Sequence, residues 1–147
     1  MPVADPADTA VSVYFDVRVD RWDLGAFTAC DGLGVEIVIE QREEGGMNSF
    51  VHQLPGRMKY TNVKLTRPVN ADTAKIVAWF ASMNGTVRRT QAQIIAKSHD
   101  DVPVHTWTLT GVIPVRWQGP SLSVESARVA TETLELAHHG FLELGVI

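Results

Sequence analysis

The chain has little cysteine, no surplus of positive charge and no long apolar run, and each absence excludes a class of protein. One cysteine, Cys30, among 147 residues cannot form an internal disulfide and fits a reducing compartment. A net charge of −4 gives nucleic acid or an anionic membrane no electrostatic attraction. Every apolar run is far shorter than the roughly 18 residues of a membrane-spanning helix, and the first residues show no secretory signal. We therefore expect synthesis in the cytoplasm and no membrane anchor.

Residue patterns typical of catalysis, phosphate binding and metal binding are also missing. The five histidines include the adjacent His138 and His139, but no HExxH or His-x-His spacing occurs. The glycines of 32–34 and 45–46 lack the lysine and the following helix of a phosphate loop. No serine lies in a Gly-x-Ser-x-Gly elbow, and Cys30 has no basic neighbour in sequence to activate it. We therefore expect no catalytic, cofactor or metal site, and we do not expect an enzyme.

The sequence does contain alternating apolar and polar residues, which predict strands with one buried face. The clearest runs contain Val11, Val13, Phe15, Val17 and Val19; Val35, Ile37 and Ile39; and Val63 and Leu65. Two later segments, 87–97 and 104–115, are rich in Thr, Val, Ile and Trp and are separated by a turn at Asp100–Asp101. An apolar content of 45% fits one domain spanning residues 1–147, long enough to bury roughly 68–70% of its unfolded surface.

A single amphipathic helix is predicted between the third and fourth of these segments. Its apolar stripe is formed at i, i+3, i+4 and i+7 by Ile76, Trp79, Phe80 and Met83. Asn70 is the predicted N-cap, Asp72 lies in the predicted first turn, and Gly85 is the predicted C′ residue. We interpret this helix as a packing element that lies against the sheet.

Residues 41–60 form a long excursion, either a loop or a hairpin, with glycine pairs, polar residues and Pro55–Gly56. This segment is too long for a simple hairpin turn. Excursions of this length from a compact domain are usually functional or disordered.

Three blocks of residues carry a resemblance to a known family. They are Phe27-Thr-Ala-Cys-Asp-Gly-Leu-Gly34 with Val35 to Glu40; Arg42-Glu-Glu-Gly-Gly-Met-Asn48 with Leu54-Pro-Gly-Arg57, Lys59-Tyr60 and Leu65-Thr-Arg67; and Pro114-Val-Arg-Trp-Gln-Gly-Pro120 with Val129 to His138. In these blocks, which occur in the family's order, the chain resembles the phage-type tail tube proteins. That family forms the inner tube of contractile phage tails and contractile injection systems.

The resemblance implies a fold and a mode of action. It implies two packed antiparallel sheets that form a β-barrel with one flanking helix. Six copies would join into a ring, and rings would stack into a hollow tube that sheath contraction drives outward. The implied partners are further copies, the sheath protein, baseplate or spike proteins, tube-terminating proteins and protein cargo in the lumen. No cofactor is implied, and the assembled phage tail-like particle can lie outside the cell after release.

The same resemblance suggests which residues make contacts between subunits or rings. In the family the excursion reaches a neighbouring ring or subunit, and the matching positions here are Arg42, Glu43, Glu44, Gly45, Gly46, Asn48, Pro55, Gly56 and Arg57. Glu44 is an extra residue before the glycine pair. Other departures are Pro68, where relatives more often have glycine, and Thr131, where they usually have isoleucine.

Two interpretations stay open at this point. The segment 129–137 fits a helix by propensity, but Leu134 and Leu136 share one strand face with Ala130, and Glu132 breaks that face. We predict a strand, mainly because of the resemblance. The alternative function is a monomeric β-barrel that binds a small apolar ligand, and it predicts an apolar cavity in a single chain.

Overall fold

Nine strands and one helix lie within residues 14–42, 52–121, 124 and 130–141, which the computed structural model describes. Their bounds are β1 Tyr14–Val19, β2 Trp22–Phe27, β3 Ala29–Asp31, β4 Val35–Arg42, β5 His52–Tyr60, β6 Val63–Pro68, α1 Thr73–Ser82, β7 Thr90–Lys97, β8 Pro103–Gln118 and β9 Thr131–Ala137. The mainly β class with one helix is confirmed. Val11 and Val13 of the first predicted run lie outside the described residues.

Seven strands form an antiparallel sheet in the order β2-β1-β7-β8-β9-β6-β3. The long strand β8 pairs with β7 from Pro103 to Val112 and with β9 from Ile113 to Gln118. Gly111 lies at this change with φ 59°, and a Cβ on it would lie 2.4 Å from Nδ1 of His139. Glycine is required there because the backbone is left-handed and a side chain has no room. Strand β8 therefore bends from one layer of the sheet into the other.

The sheet does not close into the barrel that the resemblance implied. Strands β2 and β3 lie at opposite ends of the strand order, yet only Thr28 separates them in sequence. Strands β2 and β3 follow one another along the chain and do not lie side by side. Among the described strands no hydrogen-bond ladder therefore joins the two edges of the sheet. The backbone N–H of Thr28 donates to the carbonyl oxygen of Thr66, at 2.9 Å, and ties this corner to β6.

The two layers share one apolar core, as alternation predicted. Val17, Val19, Val63 and Leu65 are fully buried. Leu134 and Leu136 are buried in the same way, on a segment that forms strand β9. The remaining core residues are Leu24, Phe27, Ile76, Trp79, Ala92, Ile94, Leu109 and Val112.

Helix α1 covers one side of this core beside β2. Ile76 and Trp79 are buried, while Phe80 and Met83 pack against the core with part of their surface exposed. The N-terminus differs from the prediction, because Asp72 rather than Asn70 precedes the first turn. The Asn70 side chain instead accepts from the backbone N–H of Asp72 at 2.8 Å. At the other end Met83 is the C-cap, so Asn84 is the C′ residue, and Gly85, the predicted C′ residue, lies one position further on with φ 88°.

Candidate assembly surface

Strands β4 and β5 form a separate two-stranded hairpin. Within the described part of the chain they pair with each other and not with the seven-stranded sheet. Val35 lies opposite Tyr60, Ile37 opposite Met58 and Ile39 opposite Pro55. Because directly opposed residues share a face, the first two pairs lie on one face of the hairpin together with Ile39, and Glu36 and Lys59 lie together on the other.

The apolar face of this hairpin is uncovered in a single chain. Val35 is 42% exposed, Ile37 51%, Ile39 53% and Met58 53%. The sequence predicted that the Val35, Ile37 and Ile39 face would be buried, and for the isolated chain this is wrong. The hairpin leaves the body of the domain, so neither described layer covers it. Contiguous exposed apolar residues of this kind mark interaction surfaces.

The pairing of β4 with β5 contains one irregularity, on the β5 side. The register shifts between Ile37 and Ile39, so that Gly56 and Arg57 together oppose Val38. A Cβ on Gly56 would lie 2.7 Å from the carbonyl oxygen of Val38. Glycine is therefore needed for this close approach of two backbones.

The structure locates some of the predicted contact residues on this hairpin. Arg42 ends β4 opposite His52, and Pro55, Gly56 and Arg57 lie within β5. The other predicted contact residues lie outside the described residues: Glu43, Glu44, Gly45, Gly46 and Asn48. The assignment of all nine to contacts between copies stays a prediction.

A buried ion pair was missed by sequence reasoning, which treated Glu132 only as an interruption of an apolar face. Nε of Arg67 donates to Oε1 of Glu132 at 2.7 Å, and both side chains are almost completely buried. The Thr73 hydroxyl donates to the same oxygen at 2.9 Å, and the Trp117 indole donates to Oε2 at 3.0 Å. The Arg67 guanidinium also lies 4.2 Å from the centre of the Phe27 ring. Because Arg67 and Glu132 are 65 residues apart, no local pattern shows the pairing.

The other groups considered for chemistry are the Cys30 thiol and the metal-ligating side chains. Burial raises the pKa of the Cys30 thiol to about 11, and the nearby charge of Asp31 adds to this shift, so little of the reactive thiolate exists near neutral pH. No group of three or more metal-ligating side chains occurs among the described residues. Nor does any helix in the described ranges have the length and apolar character needed to cross a bilayer.

The comparisons with known proteins identify the family. The family model described as "T4-like virus tail tube protein gp19" matches residues 11–142. The chain belongs to this family. The match spans both layers, the helix and the hairpin, and it confirms the resemblance. A search of curated proteins found no match to the chain.

Solved structures show the same fold. A chain of the anti-feeding prophage baseplate is 24% identical with a TM-score of 0.73, over 91% of this chain and 94% of that one. A chain of the PVC sheath–tube complex, from an extracellular contractile injection system, is 20% identical with a TM-score of 0.75, over 91% and 90%. A type six secretion system protein is 14% identical with a TM-score of 0.55, over 86% and 80%.

Proposed function

We propose that this chain is the inner-tube subunit of a contractile injection system or a contractile phage tail. Six copies form a ring, rings stack into a hollow tube, and contraction of a surrounding sheath drives the tube outward. Membership of the tail tube family supports this proposal, as does the six-fold symmetrised baseplate that contains one similar chain. The observation that carries it is the uncovered apolar face of the β4–β5 hairpin. A lone chain leaves this face in water, whereas a ring or a stack of rings can cover it.

The partners we propose follow from the particles in which similar chains occur. Those particles are a sheath–tube complex, a baseplate, a sheath/tube terminator and a tube-terminating cap. By analogy this subunit contacts further copies of itself, a sheath protein, a baseplate or spike protein and a terminator, around a lumen that can hold protein cargo. It is made in the cytoplasm and acts by assembly, without catalysis or a cofactor.

Electron microscopy of the purified protein tests the proposal directly. We expect negatively stained rings with six-fold symmetry, and tubes at higher protein concentration, with elution far ahead of a 147-residue monomer on size exclusion. A protein that stays monomeric at every concentration, alone and with its sheath partner, contradicts the proposal.

Within this function, nine residues are proposed to contact the neighbouring ring or subunit: Arg42, Glu43, Glu44, Gly45, Gly46, Asn48, Pro55, Gly56 and Arg57. Two variants test this role: Gly45→Val/Gly46→Val, and replacement of residues 43–53 by a short Gly/Ser turn. Because the described core contains no residue of the hairpin, both variants should remain soluble with near-wild-type circular dichroism and should fail to form long tubes. Full-length tubes from the shortened protein would show that the segment has no role in assembly.

The alternative, a monomer that binds a small apolar ligand, receives no support from the family or from the structures. A shallow surface cavity of about 380 Å³ is lined by Arg18, Asp20, Gln91 and Gln93. Its polar walls do not suit an apolar ligand, because such sites are lined mainly by apolar and aromatic side chains.

A further inference from the structure

His138 lies where the β4–β5 hairpin leaves the body of the domain. Its Nε2 is 3.0 Å from the carbonyl oxygen of Thr61, the residue that follows β5, and its Nδ1 is 3.1 Å from the backbone nitrogen of Gly140. A carbonyl only accepts and a backbone N–H only donates, so Nε2 carries the proton and Nδ1 is the acceptor. Both ring nitrogens are therefore used, and they are used by the neutral imidazole.

The imidazole also packs into an aromatic cluster at the hairpin base. The Tyr60 ring lies 5.5 Å from the His138 ring and 5.5 Å from the Phe141 ring, measured between centroids. Gly140 is required beneath Tyr60, because it has φ 142° and a Cβ on it would lie 2.9 Å from Cζ of that ring. The cluster thus joins the end of β5 to the residues that follow β9.

These base contacts set the direction of the hairpin, since its arms pair only with each other within the described residues. Thr61 is held from two sides: its hydroxyl donates to the carbonyl oxygen of Gly32 at 2.7 Å, and its carbonyl accepts from His138. We propose that His138 positions the β4–β5 hairpin as a neutral imidazole. Protonation of this one ring then loosens the base of the hairpin and makes tube assembly acid-sensitive. This inference rests on the proposed function.

Protonation would place a second N–H on Nδ1, facing the N–H of Gly140, and would break that hydrogen bond. Burial lowers the pKa of His138 below the ordinary value of 6.5; the bond to Thr61 opposes this shift, and charge on His139 adds to it. The titratable groups that face the ring are the Tyr60 phenol and the His139 imidazole. Because the pKa is lower in the folded state, the contribution of the neutral ring is complete above 6.5 and is lost as pH falls through the folded-state pKa.

A pair of variants separates this role from general acid effects. Gln at 138 can still donate to Thr61 but does not titrate, so His138→Gln should form tubes both at about pH 7.5 and at a lower pH, set below the His138 midpoint that nuclear magnetic resonance gives. The wild type and the exposed-site control His139→Gln should form tubes at the higher pH only. His138→Ala should lose tubes at both while keeping its circular dichroism. Acid loss of tubes in His138→Gln equal to that of the wild type, or acid-stable wild-type tubes, overturns the proposal.

Nuclear magnetic resonance of dispersed wild-type subunits decides the same question without assembly. We expect the Nε2–H tautomer at neutral pH and a His138 midpoint below 6.5. The backbone amides of Gly140 and Tyr60 should shift with that same midpoint. An Nδ1–H tautomer, or amides that stay unchanged through the midpoint, overturns the inference. If the wild type forms no tubes at any pH, the proposed function fails, and these spectra still decide the role of His138.

Discussion

At the scale of single residues, the buried carboxylate of Glu132 ties helix α1 to one layer of the sheet, and its partner Arg67 extends the contact to β2 in the other layer by donating to the carbonyl oxygen of Leu24. The carboxylate accepts hydrogen bonds from Arg67 on β6, Thr73 on α1 and Trp117 on β8. A buried ion pair is stabilising only when its hydrogen-bonding capacity is used. Both carboxylate oxygens are bonded here, whereas Nη2 of Arg67 is buried without a hydrogen-bond partner among the described residues. Removal of only one partner should therefore be strongly destabilising, because it leaves an uncompensated charge in a buried site.

We predict that Glu132→Gln lowers the free energy of unfolding by about 3–5 kcal/mol, because the Arg67 cation stays buried without its counter-charge. Glu135→Gln is the matched control on the same strand. Glu135 pairs at 3.8 Å with Lys64, whose side chain is largely exposed, so its loss should change stability by about 1 kcal/mol or less. Urea denaturation followed by circular dichroism measures both. Equal effects of the two substitutions would show that the buried pair has no special weight.

Among the elements, helix α1 depends on one large side chain. Trp79 is 1% exposed, whereas Val77 on the same helix is 49% exposed. Trp79→Ala should therefore lower stability by about 3–5 kcal/mol and yield poorly soluble protein. Val77→Ala should stay within about 0.5 kcal/mol of the wild type. An unchanged melting temperature for Trp79→Ala would mean that this face of the helix does not pack on the core.

The hairpin is predicted to behave in the opposite way, with an effect on assembly and none on folding. Ile37→Ser/Ile39→Ser removes two apolar side chains that are already about half exposed in the single chain, so the melting temperature of dispersed subunits should hardly change. Tubes should be lost in electron micrographs, because the uncovered face is what neighbouring copies would cover. Val77→Ser, an equally exposed change on the helix, is the control and should leave tubes intact. Tubes of normal length from the double variant would assign the face to another role.

The elements also show where sequence patterns suffice. Alternation located β1 and β6 correctly, because the faces of Val17 and Leu65 are buried within the same chain. Strand β9 was predicted mainly from the family resemblance, and its Leu134 face is buried as well. The same pattern in β4 led to a wrong expectation of burial. Alternation identifies an apolar face, but it does not say whether the covering surface belongs to the same molecule. The Arg67–Glu132 pair and the role of the Thr61 carbonyl depend on contacts across the fold and could not be predicted locally.

At the scale of the whole molecule, the domain combines a buried core with a hairpin whose apolar face is left exposed by the described part of the chain. The core draws on both layers and the helix. The hairpin leaves the outer backbone edges of β4 and β5 unpaired among the described strands. Exposed edges next to apolar faces favour association, and a closed ring is one arrangement that removes them. Folding and assembly should therefore be separable steps.

Cohesion between copies should accordingly come from apolar burial and backbone pairing, and not from bridging ions or nucleotide. We predict that tubes formed in nucleotide-free buffer survive excess chelator. They should also survive sodium chloride at roughly 1 M, where the Debye length falls to about 3 Å and exposed charges are screened from one another. Sulfate, which strengthens apolar burial, should lengthen them, and mild urea should shorten them. Light scattering and electron microscopy on one preparation measure all four conditions. Dispersal of the tubes by chelator alone would mean that a metal ion, rather than the apolar faces, joins the copies.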